Sequence, residues 1–115
     1  MSGSNKPIIW GLFAAGGTVA AFVVPVLILI TCLAVPLGLL SIDALSYEHL
    51  LDLMQQPLSK LVTFAVLFLV IWHAAHRIRI TAHDLGIRND TLVIFICYGI
   101  AAAGTLLMLA ALFSI

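Results

Sequence analysis

One short stretch gathers most of the side chains able to do chemistry: Trp72-His73-Ala-Ala-His76-Arg77-Ile-Arg79-Ile-Thr-Ala-His83-Asp84. An imidazole titrates near neutrality and can give or take a proton, and a guanidinium is a rigid fork of donors. At about 100° per residue on a helix, His73, His76, Arg77 and Asp84 share a stripe roughly a third of the wheel wide. Arg79 points away from that stripe, as a headgroup or cytosolic charge would. Ionisable groups within a membrane are costly, so they face protein or a cavity unless they snorkel to the interface. Snorkelling suits Arg79 and Arg88. His76 and Arg77 fit a functional reading better, because their face is shared with His73 and Asp84.

Trp10 stands early in the chain, at the same membrane depth as the His76–Arg77 end of this stretch. Most tryptophans at that level belong to the aromatic belt. Its indole N–H is nevertheless a donor, and Trp10, His76 and Arg77 together would line one site at the cytoplasmic interface. Other chemistries are excluded. The histidines cluster with no placed nucleophile, so no Ser/His/Asp or Cys/His arrangement is credible. There is no P-loop and no GxGxxG. Cys32 and Cys97 lie far apart in apolar runs, form no CxxC, and read as small packing residues. A haem held by this chain alone is disfavoured, because the first and third apolar segments offer no histidine to oppose His73 or His76.

The elements that position these residues follow from composition. Of 115 residues, 63% are hydrophobic and 9% charged. A soluble domain averages about 45–50% apolar and about 25% charged. A domain this small is mostly surface, so the solvent for most of the chain is lipid. The net charge of zero offers no basic stripe for nucleic acid. No charge occurs between Lys6 and Asp43, between Lys60 and Arg77, or after Asp90. A spanning helix needs about 20 apolar residues. The reading is an all-α membrane protein with three transmembrane helices, over approximately 8–39, 57–80 and 90–114. Pro25 is expected to kink the first, Pro36 and Gly38 to end it, and Asp90 to cap the third. The first apolar run is too long for a signal-peptide core and is expected to stay attached as an anchor.

Between the first two spans, Tyr47, Leu50, Leu51 and Met54 recur at helical spacing, with Glu48, Asp52, Gln55 and Gln56 elsewhere on the wheel. Ser46–Gln56 therefore reads as a short interfacial helix with a solvated acidic face. The segments from Gly11 to Gly17 and from Gly99 to Gly104 are rich in small residues, which permit close backbone approach in lipid. They suit packing within the chain and contact with another membrane protein equally well. A proton-coupled small exporter would want a carboxylate inside a span, and the spans contain none.

Across Pro7–Ile115 the chain resembles the D subunit of the bacterial four-subunit, haem-free membrane-bound fumarate reductase. The stretches that carry the resemblance are Trp10-Gly-Leu-Phe13, Ala15-Gly-Gly17, Pro36-Leu-Gly-Leu39, Asp43-Ala-Leu-Ser-Tyr-Glu48, His76-Arg77 and His83-Asp-Leu85, in the family's order and at near-family spacing. Arg79 and Ile80 stand where family members can carry histidines, so no histidine relay is read into that stretch. The resemblance implies that residues 1–115 form a single membrane-anchor domain in the bacterial inner membrane. With a similar three-helix subunit it would anchor a flavoprotein subunit and an iron–sulfur subunit to the cytoplasmic face. It also implies that Trp10, His76 and Arg77 belong to a site where menaquinol is oxidised. FAD and the iron–sulfur clusters would reside in the partners, and this chain would bind no haem, flavin or cluster and not be catalytic alone. The alternatives are an anchor of succinate dehydrogenase or, in another class, a small transporter or structural membrane protein.

Lys6, Arg77, Arg79 and Arg88 fall on one side of the membrane and only Lys60 on the other, beside Asp43, Glu48 and Asp52. The positive-inside rule then puts the N-terminus in the cytoplasm and the C-terminus in the periplasm. Reporter fusions after Asn89 are expected to be cytoplasmic, and fusions within Ser41–Gln56 external. The reverse pattern would move Trp10 and Arg77 away from any cytoplasmic partner.

Overall fold

A computed structural model describes residues 6–115. Helix α1 (Lys6–Ile28) runs on into a π-helical segment, Leu29–Ala34. One turn of 3₁₀ helix (Ile42–Leu45) precedes α2 (Tyr47–Gln55). Helix α3 spans Pro57–Asp84 and α4 spans Asp90–Ser114. The chain is thus all-helical among the described residues, and α1 with its extension, α3 and α4 are each long and apolar enough to cross a membrane. It is a multi-pass membrane protein with a short helix between its first and second spans.

The helix ends follow from local chemistry. Pro25 lies inside α1 without ending it. Beyond it the hydrogen bonding widens: Val35 N–H donates to the Ile30 carbonyl at 3.1 Å, and the Thr31 hydroxyl donates back to the Leu27 carbonyl at 2.7 Å. A hydroxyl that takes a carbonyl four residues back competes with the helical ladder. The expected single helix to residue 39 is therefore regular only to Ile28. The first span closes at Gly38, whose φ of 75° lets Leu39 N–H reach the Ala34 carbonyl (2.8 Å) while Gly38 N–H reaches that of Val35 (3.1 Å). Gly86 repeats the device after α3, with φ 91° and bonds from Ile87 to Ala82 and from Gly86 to His83, both 3.0 Å. These are Schellman closures, which glycine makes without strain. Helix α3 accordingly runs past Ile80 to Asp84.

Pro57 opens α3, where a missing N–H costs nothing. Ser46 caps α2 by accepting from His49 N–H. The cap of α4 is Asn89, whose side chain accepts from Leu92 N–H at 3.2 Å, one residue before the expected Asp90. Asp90 stands instead in the first turn, with its carboxylate left for other partners.

Helix α3 is the middle element, with α1 packed on one side and α4 on the other. The buried residues are small: Gly16, Ala75, Val93 and Ala101. Large apolar side chains such as Phe22, Phe95 and Phe113 point outward. In lipid, association comes from close packing and interhelical hydrogen bonds rather than from hiding apolar surface. Gly16 and Gly17 supply the closest approach. A β-carbon on Gly16 would strike the Leu69 carbonyl oxygen of α3 and lie 2.7 Å from His73 Cβ, and one on Gly17 would lie 2.8 Å from the His73 ring. Gly11 and Gly99 face open space. The small-residue runs thus divide, with Gly16 and Gly17 used inside the chain.

Gly16→Leu should therefore lower the thermal stability and the membrane yield of the protein sharply, because the obstacle is backbone. Gly99→Leu should leave the stability of the isolated chain nearly unchanged. Equal stability of the two variants in detergent melting would mean that α1 does not rest on α3 at Gly16.

A polar cluster at the cation-rich end of the bundle

Between Lys60 and Arg77 the charge-free part of α3 rises roughly 25 Å at about 1.5 Å per residue. That approaches the ~30 Å hydrocarbon thickness of a bilayer, so Arg77 and its neighbours sit at the boundary with the headgroups.

Three stripes of α3 meet different surroundings there. Towards α1, the His73 Nδ1–H donates to the Phe13 carbonyl at 2.9 Å, which fixes the proton on Nδ1 in the neutral ring. The Phe13 ring stacks on His73 (4.4 Å, 23°) and meets His76 edge-on (4.6 Å, 69°). Towards α4, the Trp72 indole donates to Thr105 Oγ1 at 3.2 Å, and that hydroxyl donates to the Ala101 carbonyl at 2.8 Å. Trp72 also stacks on Tyr98 (5.8 Å, 18°), and the Tyr98 hydroxyl shares a 3.0 Å hydrogen bond with His76 Nδ1. Outward, Arg77 is exposed; its carbonyl accepts from the Thr81 hydroxyl, and its guanidinium makes no hydrogen bond among the described residues.

Arg79 corrects the sequence reading. It is paired within the chain rather than left free to the headgroups. Its Nε and Nη2 donate to the two oxygens of Asp90 at 3.1 and 3.0 Å, and its guanidinium carbon lies 6.0 Å from the centre of the Tyr98 ring. His83 Nε2 meets the same carboxylate at 2.7 Å. The direction away from the His73–His76 stripe leads to α4, and the Gly86 turn brings Asp90 within reach. A carboxylate at a helix N-terminus is favoured there by the helix dipole, and a bidentate fork pairs with it well.

A groove of ≈270 Å³ runs along α1 and α3 to Tyr98. It is lined by Ile9, Leu12 and Phe13 of α1, by Phe68, Leu69, Trp72, His73 and His76 of α3, and by Tyr98. Of the residues singled out in the sequence, His76 lines it. Trp10 is 67% exposed and does not line the groove; its ring meets Phe13 of the groove wall edge-on at 5.8 Å. Arg77 lies outside it. Sequence reasoning passed over Phe13 and Tyr98. Tyr98 carries the only phenol of the three spans, which is a signal readable without a structure.

An up-down-up trio of spanning helices, with a hydrogen-bonded polar cluster and an aromatic groove towards one end, defines a small integral membrane protein. The family model for the D subunit of fumarate reductase matches residues 1–113. The fumarate reductase D subunit of Mycobacterium tuberculosis (strain H37Rv) is 44% identical over 104 residues, covering 89% of this chain and 82% of the relative. The proteins of the same name from Photobacterium profundum and Vibrio campbellii are 42% and 37% identical, covering 85% and 96% of this chain and 82% and 86% of theirs. The chain belongs to the family of fumarate reductase D subunits.

Trp72→Phe keeps a ring against Tyr98 but removes the indole donor to Thr105. Interhelical hydrogen bonds in membranes contribute about 0.6 kcal/mol on average and up to ~1.7 kcal/mol. A loss within that range is expected in detergent unfolding, and Thr105→Val in the Trp72→Phe background should add little through this pair. Fully additive losses would mean that the two side chains do not meet.

Proposed function

We propose that this chain is the D-type membrane anchor of a quinol:fumarate reductase and that its cation-rich end contributes to the menaquinol oxidation site. Family membership supports a membrane component of a multi-subunit oxidoreductase. The observation that carries the finer reading is His76, lining an aromatic groove with one ring nitrogen tied to Tyr98. In this reading the chain sits in the bacterial inner membrane with that end cytoplasmic. A second three-helix anchor, the iron–sulfur subunit and the flavoprotein subunit assemble with it. FAD and the clusters belong to those partners, and fumarate is reduced there.

The residues suit a quinol. A naphthoquinol ring is flat and apolar with two hydroxyls, and the groove offers Phe13, Phe68 and Trp72 for the ring and imidazole nitrogens for the hydroxyls. Menaquinol supplies two electrons and releases two protons when it is oxidised. His76 Nε2 makes no hydrogen bond among the described residues. In the tautomer whose Nδ1–H donates to the Tyr98 oxygen, Nε2 carries the lone pair open to accept a proton. Arg77, exposed beside it, can donate to an oxygen or to a partner's surface, and the Trp10 indole can do the same from α1. None of these side chains carries electrons, so the chain's contribution is to bind, orient and exchange protons.

Arg77→Leu removes a charged donor worth about 1.5–3 kcal/mol if it bonds a quinol oxygen. Electron transfer from a menaquinol analogue should then fall roughly 10- to 150-fold. Fumarate reduction by a soluble donor, which feeds the catalytic subunits directly, should stay nearly intact. His76→Leu should behave alike and also change the pH dependence of the quinol-linked rate. Arg88→Leu is the control. Loss of both activities together would make Arg77 an assembly residue, and unchanged quinol-linked rates in both variants would leave the chain a plain anchor.

A further inference from the structure

We infer that Tyr98, held by the Arg79–Asp90 bridge, is the positioning residue of His76 and decides which face of that imidazole the groove receives. The inference rests on the reading of His76 as a quinol-facing group. Left alone, an imidazole at a helix surface turns about its last torsion, which is a broad two-fold rotor. His76 is fixed on two sides. Its Nδ1 is bonded to the Tyr98 hydroxyl at 3.0 Å, and the Phe13 ring stands against it at 4.6 Å. With Nδ1 engaged, Nε2 is the nitrogen left for a ligand.

Tyr98 is itself held by two neighbours. Trp72 stacks at 5.8 Å, and the Arg79 guanidinium carbon lies 6.0 Å from the ring centre. The attraction between a guanidinium and an aromatic face favours that placement. Arg79 cannot swing out to the headgroups while both of its engaged nitrogens are on Asp90. Asp90 is anchored in turn by the first turn of α4 and by His83 at 2.7 Å. The order of support therefore runs from the α3–α4 turn inward, from Asp90 to Arg79 to Tyr98 to His76. Neither Asp90 nor Arg79 lines the groove, so both act through Tyr98.

The test uses the purified complex containing this chain, assayed with a menaquinol analogue and separately with a soluble electron donor. Tyr98→Phe keeps the ring beside Trp72 and Arg79 and removes only the hydroxyl. Its quinol-linked kcat should fall about 3- to 10-fold, as for the loss of one neutral hydrogen bond, with KM changed less than about twofold and soluble-donor activity unchanged. Asp90→Asn should lower the same kcat by a smaller factor, and Asp90→Glu, which can still bridge to Arg79, should recover most of it. His76→Leu is run beside them. If it lowers the quinol-linked rate while Tyr98→Phe does not, the positioning role is overturned and the reading of His76 stands. If His76→Leu itself has no effect, the underlying reading fails. A fall in both activities, or detachment of the catalytic subunits, would make Tyr98 a structural residue and overturn the inference. Equal rates in the two Asp90 variants would remove the bridge from the chain of support.

Discussion

The backbone of α1 rests on the backbone of α3 at Gly16 and the Leu69 carbonyl, and the rest of the arrangement depends on that contact. Lipid gives apolar side chains no reason to seek each other, so helices associate where their surfaces come closest. A side chain at Gly16 would hold the two helices apart. With none there, the His73 ring lies over Gly17 and reaches the Phe13 carbonyl. That hydrogen bond fixes the rotation of α1 about its own axis. It sets Phe13 against both histidines, with Trp10, one turn earlier on α1, at the edge of Phe13. The groove wall contributed by α1 is thus a consequence of two glycines.

The α4 side is built by different means. The contact is small again, with Ala75, Val93 and Ala101 buried, but it is held by polar groups at two levels. Trp72 and Thr105 meet deeper in the bundle, and Arg79, His83 and Asp90 meet at the turn. A hydrogen bond has direction where dispersion has none, so two of them at different depths fix both the rotation and the height of α4. Tyr98 lies between those levels and receives the benefit of both.

The three spans were legible in the sequence because charge is so costly in hydrocarbon that its absence marks them. The short helix Tyr47–Gln55 was legible from the spacing of Tyr47, Leu50, Leu51 and Met54. The end of the first span was legible in Gly38 but not its path, since the widening after Ile28 is a competition among hydrogen bonds that no periodicity records. Arg79 was misread for a geometric reason. A helical wheel gives a side chain's direction about its own axis and does not say which neighbour occupies that direction. Asp90 was assigned a capping role that Asn89 performs one residue earlier. Once α4 begins at Asp90, that carboxylate is aimed at α3, and the destination of Arg79 changes from headgroup to partner. Tyr98 stayed inconspicuous because a single phenol in an apolar helix gains meaning only when His76 is placed opposite it.

The distribution of partners along the polar end of α3 separates structure from function. A polar group near hydrocarbon must be satisfied, and satisfaction inside the chain is a structural explanation sufficient in itself. His73 has the Phe13 carbonyl, and Arg79 and His83 have Asp90. His76 has Tyr98, and the groove-lining imidazoles of His73 and His76 each use only Nδ1 among the described residues. Arg77 makes no side-chain hydrogen bond or ion pair among the described residues, although it lies one position from His76. The unfilled bonding capacity of this end, among the described residues, therefore includes the second nitrogens of His73 and His76 at the groove and the Arg77 guanidinium outside it. That pattern supports the proposed reading over a plain anchor, since pairing Arg77 as Arg79 is paired would satisfy its guanidinium. Capacity left open beside a groove suited to a flat aromatic ligand is what separates a binding surface from a fully satisfied helix pair.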